Sequence, residues 1–200
     1  MNVTNRPLGG RLALFDPNAV NGTQRELFDR ITATALPWAQ RSGFAATTAR
    51  GRLIGPFNPS LLSPEIAGQF LKLQAAEEQY TSLDERIRQV VILTVGAVWQ
   101  APYELYAHSA VARHAGLPDS VVDELAAGGV PDALTDAEKA AHRVARALSA
   151  THHVDDDLYH QAEQTFGAAG IFEITTLTGI YHTVCAILNA FDIPAPDHDA

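Results

Sequence analysis

Glu104 and His108 stand four residues apart in the run PYELYAHSAVARH, a spacing that stacks two side chains on one face of a helix. A carboxyl group beside an imidazole forms a general acid–base pair, since each holds or releases a proton while the other compensates in charge. In such a pair His108 is the proton donor or acceptor, and Glu104 orients it, raises its pKa or exchanges protons itself. The same spacing also serves a plain ion pair or a histidine satisfied in the core, so the pair alone leaves both readings open. Upstream, Arg86 and Gln89 share a face while Arg88 leans elsewhere. Arg86 is suited to a bidentate grip on a substrate carboxylate, and equally to a salt bridge with Glu85 or a neighbour. Tyr103, Tyr106 and Trp99 suit a pocket wall or an oligomer contact. His182, beside Tyr181, either approaches the pocket or is a core histidine.

The elements that must position these residues all follow a helical period, and no segment alternates with the period of a strand. One helix begins at Asp84, runs through about Trp99 and carries Ile87, Val90, Val91, Ile92, Leu93, Val95 and Val98. Apolar nearly all round, this stretch is the expected central buried helix. Pro102 opens the helix of Glu104 and His108, and Gly116 closes it with a left-handed cap. Before these, Asn21–Ala35 is a helix expected to stop at Pro37, and Gly43–Ser60 reads as a connector. A third helix starts at Ser63-Pro64, with Ser63 as cap, and runs to about Tyr80; Ile66, Phe70, Leu71 and Leu73 are its expected buried side. After them come a short helix at 118–127, a capping box at Thr135 and Glu138 opening a helix to Ala150, a helix over 155–166 ended by Gly167, and a long apolar helix over 169–191. The histidine- and aspartate-rich HHVDDDLYH run, residues 152–160, reads as a helix cap with an acidic first turn rather than a metal site. The expected division is an arm over 1–20, a helical domain over 21–194 and a flexible tail over 195–200.

Composition narrows the function classes. The chain of 200 residues is 46% hydrophobic and 18% charged, enough for a substantial core. Its formal net charge of -9 and the lack of a basic stripe with interleaved aromatics argue against nucleic acid as a partner. One cysteine, Cys185, excludes an internal disulfide and any paired-cysteine redox or zinc motif. The N-terminus lacks a signal-peptide core, and no stretch reads as a membrane span, so a cytoplasmic protein with no membrane partner is expected.

The run LDERIRQVVILTVGAVWQAPYELYAHSAVARHAGLPDSVVDEL resembles the signature of the carboxymuconolactone decarboxylase-like family, within the alkylhydroperoxidase-partner-like superfamily. Leu83, Arg86, Arg88, Tyr103, Glu104, His108, Gly116 and Leu117 fill the family's places, and FEITTLTGIYHTVCAILNAFDIP resembles its final helix. The resemblance covers Phe15–Pro194 and implies an all-α fold, a homo-oligomer (trimer or hexamer) and a pocket near subunit contacts. Peroxidase-type relatives carry cysteines seven and four residues before the histidine, where this chain has Ala101 and Glu104. That places it in a non-cysteine branch, without the thiolate that peroxidase chemistry needs. The family's acidic residue after the second arginine is Gln89 here, an amide that orients but does not relay a proton.

These readings converge on a cofactor-free, metal-free lyase that decarboxylates a small carboxylated lactone or aromatic-derived acid. His108 and Glu104 are the expected catalytic residues, with Arg86, Gln89, Tyr103 and His182 binding substrate. Two other readings stay open: a different proton-transfer enzyme (isomerase, hydratase or carbon–carbon lyase) on the same scaffold, and a non-catalytic oligomeric protein that binds a small molecule.

Overall fold

The computed structural model describes residues 7–196. Most of the expected arm, over residues 7–20, and the first two tail residues are therefore in view, while residues 1–6 and 197–200 lie outside the described residues. Eight helices follow in order: α1 (Gly22–Ser42), α2 (Phe57–Ser60), α3 (Pro64–Tyr80), α4 (Glu85–Trp99), α5 (Pro102–His114), α6 (Asp119–Ala126), α7 (Asp136–Ala150) and α8 (Asp156–Ala190). Among the described residues the only pairing outside helices is an isolated bridge, Thr47 to Leu53. The fold is all-α.

The run over 87–96, apolar but for Arg88, Gln89 and Thr94, makes α4 the hub. Ten consecutive residues, Ile87 to Gly96, are buried, and α4 packs against α5, α6, α7 and α8 in turn. Three packed clusters share it: Val95 faces α5 and the end of α8, Val91 and Ile92 face α7 and α8, and Val90 and Leu93 face α6. With no polar face to give to solvent, α4 has one stable place, the middle. Its C-terminus turns through Gln100 in the left-handed region (φ 50). The chain can then reverse into α5, whose first residue is Pro102.

Several local expectations meet a different outcome. Helix α1 passes through Pro37 to Ser42 instead of stopping there. A proline inside a helix costs about 3 kcal/mol, but Ala39 is buried and Trp38 packs edge-on against Phe44 at 5.0 Å, so tertiary contact holds the last turn in place. Part of the expected connector forms the single-turn α2. Ser63 makes no side-chain capping bond, and only Gly68 of α3 is buried. Phe70 and Leu71 are half-buried, as their expected side requires, but Ile66 and Leu73 are 74% and 48% exposed. The reason is position: α3 touches α1 and α8 along one narrow side, so a stripe that looked like core faces outward. The other expected caps form, with Thr135 and Glu138 in a reciprocal box and Asp155 accepting from the Leu158 amide at 2.9 Å.

The stretch 156–190 is one continuous helix except at Gly167 (φ 66, ψ 174), where the path breaks. By length and composition it is apolar enough to cross a membrane, contrary to the expectation that no segment would be. Within the fold its apolar residues Ile174 and Leu177 are buried on α4 and α7. Glu173, in its second half, accepts from Thr81 and Ser82 at 2.8–3.0 Å, pinning the turn between α3 and α4 to α8.

The segment between α1 and α2 is fastened to α5. The Tyr103 hydroxyl donates to the Ala45 carbonyl at 2.8 Å, and the Ala45 amide donates to the Tyr106 hydroxyl at 3.0 Å. Gly55 lets this segment lie flat on Tyr103: its φ is +63, and a Cβ there would sit 2.3 Å from the ring. Gly55→Ala is expected to lower stability by about 2 kcal/mol or more, from combined overpacking and left-handed backbone strain, read as a shifted urea midpoint with an unchanged slope. A midpoint equal to wild type would show that this contact does not set the segment's position.

Candidate active site

Glu104 and His108 are both buried, 3% and 5% exposed, on the first two turns of α5. Their i, i+4 spacing brings Glu104 Oε1 to 3.4 Å from His108 Nε2. That is longer than a well-formed hydrogen bond, and Glu104 Oε1 has no hydrogen-bond partner. A buried polar atom without a partner is uncommon and marks a place where something else is to be bonded.

The other face of the imidazole is fully specified. His108 Nδ1 lies 2.8 Å from Gln89 Oε1, and Gln89 Nε2 donates to Glu85 Oε1 at 2.8 Å. A carboxylate only accepts, so the Gln89 amide nitrogen must turn to Glu85 and its carbonyl to His108. His108 Nδ1 therefore carries the hydrogen, and Nε2 presents a bare lone pair toward Glu104. Gln89, expected to bind substrate, has both ends of its amide occupied inside the protein.

Burial keeps the pair uncharged. Removal from water pushes the Glu104 carboxyl up to about 8. The same desolvation, with the nearby Arg88 charge, pushes His108 down to about 3. Each group is disfavoured in its charged form, so at neutral pH the site holds a carboxylic acid beside a neutral imidazole. Proton exchange between them is coupled: once Glu104 is ionised, the adjacent negative charge makes His108 a stronger base.

A cavity opens onto this pair in two lobes. The inner lobe, about 70 Å³, has Glu104, Tyr103, Phe44 and Val184 in its wall. The outer lobe, about 440 Å³, has Glu77, Glu85, Arg88 and Gln89 on one side, with Arg30, Arg41 and Lys72 also in its wall. Trp38, Phe57, Leu71, Gln74, His108 and Tyr181 belong to both. Two of these shared residues bracket the imidazole: Tyr181 meets it edge-on at 4.9 Å and Trp38 lies 6.0 Å away.

Of the two arginines of α4, the one on the cavity is Arg88. Its Nε and Nη2 donate to Glu77 of α3 at 3.3 and 2.7 Å, and its Nη1 donates to Glu85 at 2.6 Å. Arg86, expected to anchor substrate, instead donates to Glu138 at 2.8 Å, tying α4 to the capping box of α7, and lies off both lobes. The helical phase decides this: Arg88 and Gln89 follow Glu85 by three and four residues and share its face, whereas Arg86 projects toward α7. His182 also lies elsewhere. Its Nε2 is 2.8 Å from Ser149 Oγ, and its ring packs 5.7 Å from Trp99 beside a separate open groove. Tyr103 is in the inner wall, its hydroxyl committed to Ala45. Cys185 is fully buried in the core and absent from both linings. Among the described residues no three histidine, cysteine or carboxylate groups cluster in a way that would hold a metal.

Trp38 has no expected role from the sequence, and Arg88 and Glu85, though noted there as a family position leaning to another face and as a salt-bridge partner of Arg86, are not among the expected site residues. Glu85 and Arg88 carried a readable signal in their three-residue spacing with Gln89 one step on; Trp38 carried none once Pro37 was taken as a helix end.

Residues 64–147 match the carboxymuconolactone decarboxylase family. The matched stretch spans α3 to most of α7 and so contains Glu104, His108, Gln89 and Arg88. No curated protein matches the chain. Solved structures share the fold. An Agrobacterium tumefaciens protein of unknown function, described as an AhpD-type antioxidant defence protein, is 20% identical over 70% of this chain and 97% of its own, with a TM-score of 0.65. An uncharacterised peroxidase-related protein with an AhpD core, from Ralstonia eutropha JMP134, is 15% identical over 94% and 93%, with a TM-score of 0.73. The debrominase Bmp8, as a cysteine-to-alanine variant in complex with 2,3,4-tribromopyrrole, is 16% identical over 96% and 93%, with a TM-score of 0.70. At these identities the likeness establishes a shared architecture.

The two buried groups give stability a specific pH dependence. Glu104, raised from 4.5 to about 8, stabilises the fold below 4.5, and that contribution is lost as pH rises through 8. His108, lowered from 6.5 to about 3, contributes above 6.5 and loses it as pH falls through 3. Between 4.5 and 6.5 the two slopes oppose and cancel; from 6.5 to 8 only the Glu104 slope remains. Wild type is expected to lose on the order of 2 kcal/mol across that interval, and Glu104→Gln to flatten it, in urea titrations at pH 6.5 and pH 8. Equal slopes in both proteins would mean that Glu104 is not held neutral.

Proposed function

We propose that this protein is a cofactor-free lyase that decarboxylates a small carboxylated lactone or aromatic-derived acid, with Glu104 as proton donor and His108 as its exchange partner. The observation that carries the reading is the buried, uncharged Glu104–His108 pair on a cavity wall, with Glu104 Oε1 unbonded.

Loss of carbon dioxide breaks a carbon–carbon bond and leaves its electron pair on the substrate, delocalised into a neighbouring carbonyl as an enolate. That carbon then needs one proton. Glu104 is poised to give it, because a carboxylic acid with a pKa near working pH is both populated and reactive enough to donate. Donation leaves a buried carboxylate, which favours protonation of His108 at Nε2; His108 then returns the proton to Glu104. The net change is one proton consumed and one carbon dioxide released. Gln89 keeps Nε2 free for this role throughout by holding the hydrogen on Nδ1.

Two features support this reading over thiol peroxidase chemistry and over a passive scaffold. The position of the peroxidase-type second cysteine is Glu104, and the sole cysteine is away from the cavity. The cavity is not filled by side chains, and its acid–base pair is held at 3.4 Å.

Glu104→Gln and His108→Ala are each expected to lower turnover of a carboxylated lactone by about 10²–10⁴ while leaving the circular dichroism spectrum and assembly state unchanged. In wild type the rate is expected to fall as pH rises through about 8, the acid form of Glu104 being the active one. Carbon dioxide release, followed directly, separates decarboxylation from isomerisation or hydration. Unchanged rates in both variants would remove the assignment.

A further inference from the structure

The outer lobe already displays a bound carboxylate, and it belongs to the protein. Glu85 places Oε2 at 2.6 Å from Arg88 Nη1 and Oε1 at 2.8 Å from Gln89 Nε2. One carboxylate thus bridges a guanidinium and a primary amide, the arrangement by which a free acid would be recognised there. Its neighbours differ in how firmly they are held. Arg88 is buried and keeps its other edge on Glu77, which is 6% exposed. Gln89 is buried and anchored to His108. Glu85 is 48% exposed and sits in the first turn of α4, with both Arg88 contacts to Glu77 surviving its departure.

We infer that Arg88 and Gln89 form the carboxylate subsite of this cavity and that Glu85 is a resident stand-in, displaced when a small apolar acid binds. The ligand's carboxylate takes over the two donors, and its apolar body lies against Trp38, Tyr181 and Phe57, which extend from this wall toward Glu104. The donors stay where they are in either state: Glu77 fixes the guanidinium plane, and His108 fixes the amide. The inference deepens the lyase reading by naming what holds the substrate, and it corrects the anchoring role first given to Arg86.

The probe is benzoate, titrated calorimetrically into the full chain at neutral pH. Glu85→Ala is expected to tighten benzoate binding by about tenfold or more, the effect of removing a competitor from charge-assisted bonds. Glu85→Gln, which keeps the size and loses the charge, is expected to move the same way. Glu78→Ala removes a negative charge from the same lobe without freeing Arg88 or Gln89, and is expected to leave affinity within about twofold. Glu104→Gln in the Glu85→Ala background is expected to keep benzoate binding while losing turnover, so the subsite and the lyase chemistry fail or stand separately. Benzoate binding no tighter in either Glu85 variant, or tightened as much by Glu78→Ala, would overturn the subsite.

Discussion

The constraint on which the rest of this structure depends is desolvation of two titratable groups that sit side by side. A carboxyl and an imidazole in water at neutral pH would exist as an ion pair or as separate solvated charges. Here both are enclosed, and each avoids its charged form. Such a pair is stable only if the surrounding scaffold is rigid enough to keep water and competing charges out. The ten-residue buried stretch of α4, packed on every side by other helices, supplies that rigidity. The site stands where α4 and α5 face one another across Gln89 and His108, both buried.

The charged groups that do enter this region arrive with partners. Arg88 has three donor atoms on two carboxylates, Glu77 from α3 and Glu85 from its own helix. A buried guanidinium without them would carry a large desolvation cost. Because Glu77 comes from α3, which has little buried surface of its own, this ion pair is also what closes α3 over the cavity. One interaction thereby neutralises a buried cation and positions a wall. Removing Glu77 would leave Arg88 with Glu85 as its one remaining carboxylate partner and α3 without this tie to α4, so the pair's worth is structural as much as electrostatic.

How much of this was legible in the sequence follows from where the physics is local. The largely apolar course of α4, the reciprocal box at Thr135 and Glu138, and the opening of α3 and α5 at Pro64 and Pro102 are determined by neighbours in the chain, and they read correctly. So did the shared face of Glu104 and His108. What depended on the third dimension did not read. Ile66 and Leu73 have the spacing of a core stripe, yet nothing within the chain shows which of two apolar sides of α3 finds a partner. Pro37 ends most helices, but the contacts of Trp38 and Ala39 reverse that tendency. Arg86 and Arg88 are chemically identical and two residues apart, so only the direction of Glu138 and Glu77 tells which one meets the cavity.

Gln89 shows how a departure from a family pattern can be consistent with chemistry rather than its loss. A carboxylate at that place would lie against Glu85, whose oxygen is 2.8 Å from the present amide nitrogen, and two anions there would repel or share a proton. It would also face His108 Nδ1 and favour the imidazolium, which in turn would draw the proton from Glu104 and convert the neutral pair into an ionised one. The amide avoids both consequences: it donates to Glu85, accepts from His108 and adds no charge. With an amide at position 89 and a carboxyl at position 104, the chain has one carboxyl group beside its histidine, on the side that borders the inner cavity. The substitution of Gln89 and the presence of Glu104 are then a single electrostatic solution, since either without the other would leave the buried histidine with no acid or with one too many.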